Sequence, residues 1–545
     1  MHPQRPLVPQ DETFDFVVIG SGFGGSVAAM RLTEKGYRVL VLERGRRFND
    51  PDFPRTNWDV RRYLWWPALR CFGMLQITLL KDVLVLHGSG VGGGSLIYAN
   101  VLMEPDDHLF EAPGWRDLAD WKTILRPHYD AARRMLGVAT NPCHWPADDA
   151  LVAAARDLGK QESAQPTEVG VFFGQPGEEG RLVPDPYFGG EGPPRAGCIH
   201  CGACMVGCRH NAKNTLLKNY LYFAEKWGAQ VRAEAQAQVI RPLPPGQADG
   251  ARYEVIYRHA MAWLPGPARR VRARSVIVSA GTLGTLRLLL HCRDSARTLP
   301  NLSPRLGDRV RTNSEALVGS TSRDRQPDYS RGVAITSVVQ IDEVTHVEPV
   351  RFPPGSSLMR LMGAPIITGS ANALVRLGRT LGQIARHPLD FLRTRALPGW
   401  AQRTTILLFM QTRDNTLRLR LGRSLLTTFR RGLVSERNAG QLICPEPAIT
   451  QRLTRAFARR TNGVPQGAVV ENLLNIPTTA HILGGCPMGR DAQEGVVDLN
   501  GEAFNYPGLY VVDGSIMPAN PGINPSLTIA ALAEYVMSRI PVKEK

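Results

Sequence analysis

The order of apolar and polar positions near the start of the chain predicts a β-strand, an α-helix and a second strand in succession. The apolar run FDFVVI over 14–19 is rich in β-branched residues and suits a buried parallel strand. The segment SVAAMRLTEKG over 26–36 places small and apolar residues at helical spacing, and YRVLVLE over 37–43 is the next apolar run. Two such strands joined by a helix form a βαβ unit, so the pattern predicts an α/β fold with a Rossmann-like domain.

The turn between the first strand and the helix has the sequence GSGFGG, which is typical of a dinucleotide site. Gly20 allows a tight turn, Gly22 lets the backbone approach a pyrophosphate, and Gly25 lets the helix pack close to the strand. The free N–H groups of the helix start would face the phosphates. Glu43 follows the second strand, where a carboxylate can accept hydrogen bonds from ribose hydroxyls and disfavours a 2′-phosphate. The motif therefore predicts FAD or NAD as the ligand.

Three further blocks carry chemistry. The first is the glycine-rich segment GSGVGGGS over 88–95, which either lays its backbone against a cofactor or forms a mobile surface loop. The second is SVIVSAGTLGTLRLLL over 275–290, a strand, turn and helix by pattern. The third is the C-terminal pair HILGGCPMG and LYVVDGSIMPANPGINPSLTIAALAEYV. In it, Pro525 predicts a helix start with Asn524 as its N-cap, so the positive helix end would face a bound group.

Taken together, these blocks resemble the glucose–methanol–choline (GMC) flavoprotein oxidoreductases, and their sequences are most similar to those of the cholesterol-oxidase-like branch. The resemblance implies a Rossmann-like FAD-binding domain and a substrate-binding domain made of a sheet with helices. It also implies non-covalent FAD, because SLIYAN stands where choline oxidases attach the flavin through a histidine. The implied FAD contacts are Gly20, Gly22, Gly25, Glu43, Gly88, Gly92, Gly93, Ser95, Asn100, Val239, Gly281, Asp513 and Gly514.

The resemblance also implies the catalytic residues and the reaction. His481 would hold the substrate hydroxyl and Asn524 would touch the substrate oxygen or the flavin, while a hydride passes from a sterol 3β-hydroxyl carbon to flavin N5. Glu348 would move a proton during isomerisation of the 5-ene to the 4-ene ketone, a role for which Asp342 and Glu343 compete. Another bulky alcohol, oxidised by a dehydrogenase, is the alternative substrate.

Four cysteines form a cluster with the spacing C-x2-C-x2-C-x3-C, the spacing of half a bacterial ferredoxin motif. We name these residues the cysteine quartet: Cys198, Cys201, Cys204 and Cys208. A [4Fe–4S] cluster is the leading interpretation; zinc and reduced structural cysteines are the alternatives. An iron–sulfur cluster near the flavin favours an electron carrier over O2 as the acceptor.

The domain organisation implied by the resemblance is discontinuous. The FAD-binding domain would comprise 11–105, 205–315 and 478–545, and the substrate-binding domain 106–204 and 316–477. Within the latter, the basic segment 355–400 places leucines on a helical stripe, with arginines elsewhere. Such a stripe is either ordinary core or a lid that contacts an anionic membrane.

Composition and charge limit the partners. The 545 residues carry 65 Lys and Arg against 49 Asp and Glu, which gives a net charge of +16. The basic residues are scattered and no nucleic-acid-binding module is present, so we expect no nucleic acid partner. The sequence shows neither a signal-peptide pattern nor an apolar run long enough to span a membrane, so we expect a cytoplasmic protein, peripheral to a membrane if the basic segment binds lipid.

Overall fold

The computed structural model describes residues 12–262, 266–367, 372–437 and 447–544. Cys444, residues 368–371 of the basic segment and the outermost residues of the predicted FAD-binding segments, 11 and 545, lie outside the described residues. Among the described residues, no helix is both long enough and apolar enough to cross a membrane.

The described residues form twelve α-helices. In chain order they are α1 Phe23–Glu34, α2 Val60–Tyr63, α3 Trp121–Leu136, α4 Pro146–Arg156, α5 Tyr220–Lys226, α6 Gly281–Asp294, α7 Ala373–Arg386, α8 Pro388–Ala396, α9 Trp400–Arg403, α10 Pro447–Arg460, α11 Val469–Leu474 and α12 Ser526–Ser538.

The strands of the described residues are, in chain order, β1 Thr13–Ile19, β2 Val39–Leu42, β3 Trp65–Trp66, β4 Cys71–Phe72, β5 Leu75–Leu79, β6 Leu84–Gly88, β7 Ala139–Thr140, β8 Gln165–Pro166, β9 Glu168–Val169, β10 Leu182–Val183, β11 Arg195–Ala196, β12 Gln230–Arg232, β13 Ala235–Pro242, β14 Tyr253–His259, β15 Arg269–Val278, β16 Val310–Arg311, β17 Ala316–Ser322, β18 Ser337–Gln340, β19 Thr345–Val350, β20 Gly363–Pro365, β21 Thr404–Gln411, β22 Thr416–Gly422, β23 Gly432–Arg437, β24 Gly463–Ala468, β25 Thr478–Thr479 and β26 Leu509–Val511.

The first large sheet contains the predicted βαβ unit. Its strands lie in the order β12, β2, β1, β15, β14 and β13, and β26 also pairs with β15. β1 is parallel to both β2 and β15, so that Val17 lies opposite Leu40 on one side and Val276 on the other. β1 and β2 are buried on both faces, as their unbroken apolar runs require. α1 packs against α5 and α12, and α12 packs against α3. The predicted α/β fold class is confirmed.

The second large sheet is antiparallel, with the strand order β20, β24, β17, β21, β19, β18 and β8. Its side chains alternate between two faces, as the twofold period of a strand dictates. On β21, Leu407 and Phe409 pack towards α4 and α10, around Leu453 and Phe457. The alternate positions of the same strand, such as Leu408, face the opposite side. This sheet thus presents one apolar face to the helices and another to the candidate site.

Candidate active site

A cavity of about 770 Å³ extends between the two large sheets, and its two ends differ in chemistry. At one end the wall is mostly backbone, because glycines from four separate chain segments lie there: Gly20, Gly22, Gly93, Gly281 and Gly514. At the other end the wall is apolar and is formed by Leu317, Ile335, Val350, Phe352, Ile406, Leu408 and Trp400. The shape fits a flat polar cofactor beside a bulky apolar substrate.

The two glycine-rich loops meet at the first end. Gly20 has a φ of +99°, and a Cβ there would lie 2.2 Å from the carbonyl oxygen of Ser279. A Cβ on Gly93 would lie 2.6 Å from the Cα of Gly22, whereas a Cβ on Gly22 would meet no atom within 4 Å. Gly22 therefore borders open space in the cavity, and α1 starts there without a side-chain cap. This geometry fits the pyrophosphate of FAD, since free helix N–H groups bind phosphate.

Glu43 lies at the same end and its carboxylate is held in place. Its Oε2 accepts hydrogen bonds from the Ser21 backbone N–H at 3.1 Å and from Ser21 Oγ at 2.8 Å. Its Oε1 accepts the N–H of Gly45 at 2.8 Å. Glu43 lines the cavity, so a fixed carboxylate is available there for ribose hydroxyls.

The other predicted cofactor residues fall into two groups. Gly88 and Val239 also line the cavity. Behind the cavity wall formed by the described residues lie Gly25, Gly92, Ser95, Asn100 and Asp513, which support that wall.

Asp513 illustrates how these residues support the wall. It accepts the Gly281 N–H at 2.9 Å and the Ser515 N–H at 2.8 Å, and so joins the start of α6 to the turn after β26. Burial raises the pKa of its carboxyl group. Ser95 acts similarly, donating from Oγ to Gly92 O at 2.7 Å.

His481 lies on the wall of the cavity and is oriented by Glu315 and Asn313. Its Nδ1 is hydrogen-bonded to Glu315 Oε1, and Asn313 Nδ2 lies 3.4 Å from the same nitrogen. Glu315 is 0% exposed, and its second oxygen accepts the Ala480 N–H at 2.7 Å. Because Nδ1 is occupied, Nε2 is the nitrogen left to accept a proton from a substrate hydroxyl.

Neither Glu315 nor Asn313 is predicted from the sequence. They lie in TNSEAL, which matches no motif, and 166 residues separate Glu315 from its partner His481. The local signal available was the position of a glutamate immediately before the β-branched strand ALVGSTS. Functional side chains often lie at such strand ends, in the loops that join the strands.

The structure corrects the predicted role of Asn524 as a helix cap. α12 begins at Ser526, so Pro525 occupies the N-cap position and Asn524 precedes it. Freed from capping, the Asn524 side chain lines the cavity, and its Oδ1 is buried without a hydrogen-bond partner among the described residues. A buried polar atom without a partner in a cavity is suited to bind an incoming ligand group. His481 and Asn524 are thus brought together on one wall, as the resemblance implies.

Glu348 lies on β19 directly behind this wall. It is 0% exposed, and it is opposite Leu408, which lines the cavity. Neither carboxyl oxygen has a partner of ordinary hydrogen-bond geometry within the described residues. Burial raises the pKa of Glu348 to about 8, the Asn524 amide lowers it in part, and the Glu315 charge raises it further.

The two carboxylates that compete with Glu348 in the sequence lie elsewhere. Asp342 and Glu343 occupy the turn between β18 and β19, which pair as a hairpin. Asp342 Oδ1 accepts the Val344 N–H at 3.0 Å, and Glu343 is exposed. Of the three, Glu348 is the one beside the cavity.

The cysteine quartet surrounds a second, small cavity behind the loop that carries Tyr98 and Asn100. Asn100 is not part of the main cavity wall and lies beside Cys204 instead. Among the described residues, no three His, Cys, Asp or Glu side chains are placed to hold a metal ion. The predicted zinc or iron–sulfur site therefore stays a prediction.

The basic segment forms two helices, α7 and α8, which break at His387 before Pro388. The leucine stripe is not core: Leu374 is 78% exposed and Leu389 is 66% exposed. The buried side is polar instead, since Arg376 donates from Nε to the Asn472 carbonyl at 2.6 Å. The exposed and buried faces of α7 and α8 are therefore reversed relative to those of an ordinary surface helix, whose apolar stripe faces the core.

Comparisons with known proteins identify the family of this chain. A family model described as GMC oxidoreductase matches residues 449–533, and one described as an NAD(P)-binding Rossmann-like domain matches 18–49. A cholesterol oxidase of Acinetobacter baumannii is 45% identical, over 97% of this chain and 95% of that protein. This chain belongs to the GMC oxidoreductase family, in its cholesterol-oxidase-like branch. It is accordingly an FAD-dependent oxidoreductase that acts on the CH–OH group of an alcohol.

Two further relatives of this GMC oxidoreductase show how far the likeness extends. A cholesterol oxidase of Mycobacterium tuberculosis (strain ATCC 25618 / H37Rv) is 44% identical, over 97% of this chain and 91% of that protein. The crystal structure of pyridoxine 4-oxidase from Mesorbium loti matches with a TM-score of 0.59 at 17% identity, over 96% of this chain and 98% of that chain. That last likeness shows the fold alone.

Proposed function

We propose that this GMC oxidoreductase oxidises the 3β-hydroxyl group of a sterol to a ketone. The observation that carries the proposal is the placement of His481 and Asn524 on one wall of a cavity whose glycine end fits FAD and whose other end is apolar. Both relatives at 44–45% identity are named cholesterol oxidases, which supports the same substrate class. When bound, FAD supplies the acceptor for the hydride that leaves the alcohol carbon.

The residues of the chain supply the proton chemistry and the positioning. His481 Nε2 accepts the proton of the hydroxyl group, and the Glu315 carboxylate at Nδ1 stabilises the imidazolium that results. The Asn524 side chain, which has an unpartnered oxygen, holds the reacting hydroxyl in place. The start of α12 is close to Asn524 and contributes positive potential to this part of the wall.

We further propose that Glu348 isomerises the ketone product. A buried carboxyl group with a pKa of about 8 can exchange a proton with a carbon acid near neutral pH, since its acid and base forms are both populated. Within the described residues neither carboxyl oxygen has a partner of ordinary hydrogen-bond geometry, and the neighbouring Asn524 amide is the group that interacts with the carboxyl group. Glu348 would take the proton from C4 of the 5-ene ketone and return it at C6, giving the conjugated 4-ene ketone.

The exposed leucines of α7 and α8 support a route for a water-insoluble substrate. Arg395 on α8 hydrogen-bonds the carbonyls of Arg360 and Gly363, and Gly363 lines the main cavity. The helix pair is thus attached to the rim of the cavity, with Leu374 and Leu389 exposed. We propose that this face lies on an anionic lipid surface, because apolar side chains flanked by arginines favour one.

Anaerobic mixing with cholesterol tests the substrate. We expect cholesterol to bleach the flavin absorbance of the wild-type protein, and His481→Asn to slow the bleaching by about 10²-fold or more, since a general base contributes that much. If cholesterol leaves the absorbance unchanged while a long-chain primary alcohol bleaches it, the sterol proposal is wrong.

Liposome sedimentation tests the membrane route. Leu374→Asp together with Leu389→Asp should weaken binding to vesicles that contain phosphatidylglycerol, because each buried leucine contributes about 1.5–3 kcal/mol. Leu182→Asp is the matched control, since this leucine is 63% exposed but lies on β10, outside the helix pair. Equal binding of all three proteins would contradict the proposal.

A further inference from the structure

Three polar side chains interrupt the apolar end of the main cavity. Thr321 on β17, Thr404 on β21 and Gln466 on β24 all line this cavity. Thr321 is 3% exposed and Thr404 is 7% exposed, while Gln466 is half-buried. We name these three residues the outer polar cluster. Polar groups in an apolar binding wall are costly to bury without a partner, so they select the ligands that can pair with them.

The strand register places the outer polar cluster far from the catalytic residues. Leu408 on β21 lies opposite both Glu348 and Leu317, and so marks the catalytic end of the second large sheet. Thr404 lies four residues earlier on β21, opposite Thr321. Residues an even number apart on a strand face the same side, and four residues span about 13 Å. The cluster and the catalytic end therefore face one cavity from two distant points of the same sheet.

The wall between these two points suits a rigid apolar ring system. Ile406 and Gly319 lie opposite each other midway along this span, and both line the cavity. Gly319 has no side chain, so the sheet leaves room there for a ligand. A span of about 13 Å is comparable with the length of the four fused rings of a steroid. A steroid whose 3-hydroxyl group reaches His481 thus brings C17, at the opposite end of its rings, towards the outer polar cluster.

The hydrogen bonds inside the cluster leave one donor and one acceptor for a ligand. Thr321 Oγ1 and Thr404 Oγ1 lie 2.8 Å apart and share one hydrogen bond. Gln466 Nε2 donates to Thr321 Oγ1 at 3.4 Å. Two hydroxyl groups carry two protons, and the shared bond uses one of them. Within the described residues, the second hydroxyl proton and Gln466 Oε1 have no further partner, so both can bind a substrate group.

The next residue of β21 provides a natural comparison. Thr405 points to the opposite face of the sheet, because adjacent residues of a strand alternate. It is 1% exposed, and it lies behind the cavity wall that the described residues form. Thr404 and Thr405 are thus neighbouring buried threonines, of which one presents its hydroxyl group to the cavity and the other does not.

We propose that the outer polar cluster binds a second oxygen of the steroid substrate, carried at C17 or at the start of the side chain. The enzyme then prefers 3β-hydroxysteroids that are oxygenated at this end to cholesterol, a preference that rests on the proposed sterol oxidation. A ketone oxygen accepts the spare hydroxyl proton, and a hydroxyl group can also donate to Gln466 Oε1. The saturated tail of cholesterol makes neither bond and leaves the cluster unpaired.

Anaerobic flavin reduction by a matched pair of steroids tests the preference. Dehydroepiandrosterone carries a ketone at C17, and androst-5-en-3β-ol has the same rings without this oxygen. We expect the ketone to reduce the flavin with a second-order rate constant about tenfold higher, the contribution of a neutral hydrogen bond. Equal rate constants would overturn the preference and leave the sterol oxidation standing. If neither steroid nor cholesterol bleaches the flavin, the proposed substrate is wrong and the preference fails with it.

Variants of the two neighbouring threonines locate the preference. Thr404→Val removes the hydroxyl group from the cavity and keeps the shape of the side chain, so the advantage of the ketone should fall to about twofold or less. Thr405→Val, the matched control, should keep the full advantage. Each ratio compares two substrates on one protein, so it does not depend on how much of a variant folds. An advantage that survives in Thr404→Val, or that both variants lose, would overturn the proposal.

Gln466→Leu tests the acceptor of the cluster. Androst-5-ene-3β,17β-diol can donate a proton to Gln466 Oε1, whereas the ketone of dehydroepiandrosterone cannot. The variant should therefore slow flavin reduction by the diol more than reduction by the ketone. Equal slowing with both steroids would show that Gln466 is not the acceptor of a substrate hydroxyl group.

Discussion

Two buried glutamates, Glu315 and Glu348, lie beside the same active-site wall, and their surroundings are opposite. Both are 0% exposed, and the charge of Glu315 raises the pKa of Glu348. Glu315 is bonded to His481 Nδ1 and to the Ala480 N–H. Glu348 has no partner of ordinary hydrogen-bond geometry within the described residues.

The difference shows how one protein gives two carboxyl groups separate tasks. Hydrogen bonds from N–H donors stabilise the ionised form, so Glu315 is suited to hold a negative charge in place beside the histidine. Burial without a donor of ordinary hydrogen-bond geometry favours the neutral form, so Glu348 is suited to gain and lose a proton. The role of a carboxyl group is thus set by the hydrogen-bond donors around it and not only by its position beside a cavity.

The strongest test of this division is Glu348→Gln. We expect the variant to oxidise the sterol at nearly the wild-type rate and to lose isomerisation by about 10²- to 10⁴-fold, the range of a proton-transfer catalyst. Absorbance of the conjugated 4-ene ketone and of the bleached flavin, followed in the same reaction, separates the two steps.

Glu471→Gln is the control for Glu348→Gln. Glu471 is half-buried and its pKa is likewise raised to about 8, but it accepts the Thr478 N–H at 3.2 Å. Its substitution should leave isomerisation unchanged. Equal loss in both variants would mean that isomerisation responds to any glutamate with a raised pKa, and the assignment to Glu348 would be wrong.

Glu315→Gln should act on oxidation instead. An amide N–H facing Nδ1 forces the proton onto Nε2, and a histidine protonated there cannot accept the hydroxyl proton. We expect flavin bleaching by cholesterol to slow by about 10²-fold. Glu315→Asp should restore part of the rate, because it keeps the charge; no recovery with Asp would indicate that shape, not charge, matters.

Asn313→Ala should have a smaller effect in the same direction. Its side chain lies near His481 and donates to the Ile523 carbonyl at 3.1 Å, so it positions the ring without carrying the charge. We expect about a tenfold loss in the rate of bleaching, with an unchanged pH profile. A shifted pH profile would show that Asn313 also sets the protonation of His481.

The smallest expected effect concerns stability against pH. The pKa of Glu348 is raised to about 8 in the folded protein, so its neutral form favours folding. This contribution is fully present below the unfolded pKa and is lost as pH rises through about 8. As the pH rises from about 5 to about 9, the melting temperature of Glu348→Gln should therefore increase relative to that of the wild type, as differential scanning fluorimetry would measure. A difference in melting temperature between the two proteins that does not change with pH would contradict the raised pKa of Glu348.

Local pattern predicted the nucleotide end of the molecule well. The run 14–19 and the glycines after it define a βαβ unit because each element there depends on its own residues and its immediate neighbours. The prediction of a helix near Asn524 was right, but its start was wrong by one residue, since local propensity does not distinguish a capping side chain from one that a cavity leaves free.

Features that depend on tertiary contacts were not accessible from the pattern. Glu315 reaches His481 across 166 residues, and no spacing rule joins them. The leucine stripe of α7 was open to two interpretations, and burial of Arg376 against the Asn472 carbonyl decided that the leucines face outwards. An amphipathic pattern gives two faces but does not say which one the protein covers.

The position of β26 has a consequence for synthesis of the chain. This strand pairs with β15 in the first sheet, and α12, which follows it, packs against α1 near the opposite end of the sequence. The ribosome synthesises the N-terminal residues first, so the first large sheet stays incomplete until β26 and α12 have been synthesised. Nascent chains halted before residue 509 should be protease-sensitive and should depend on chaperones.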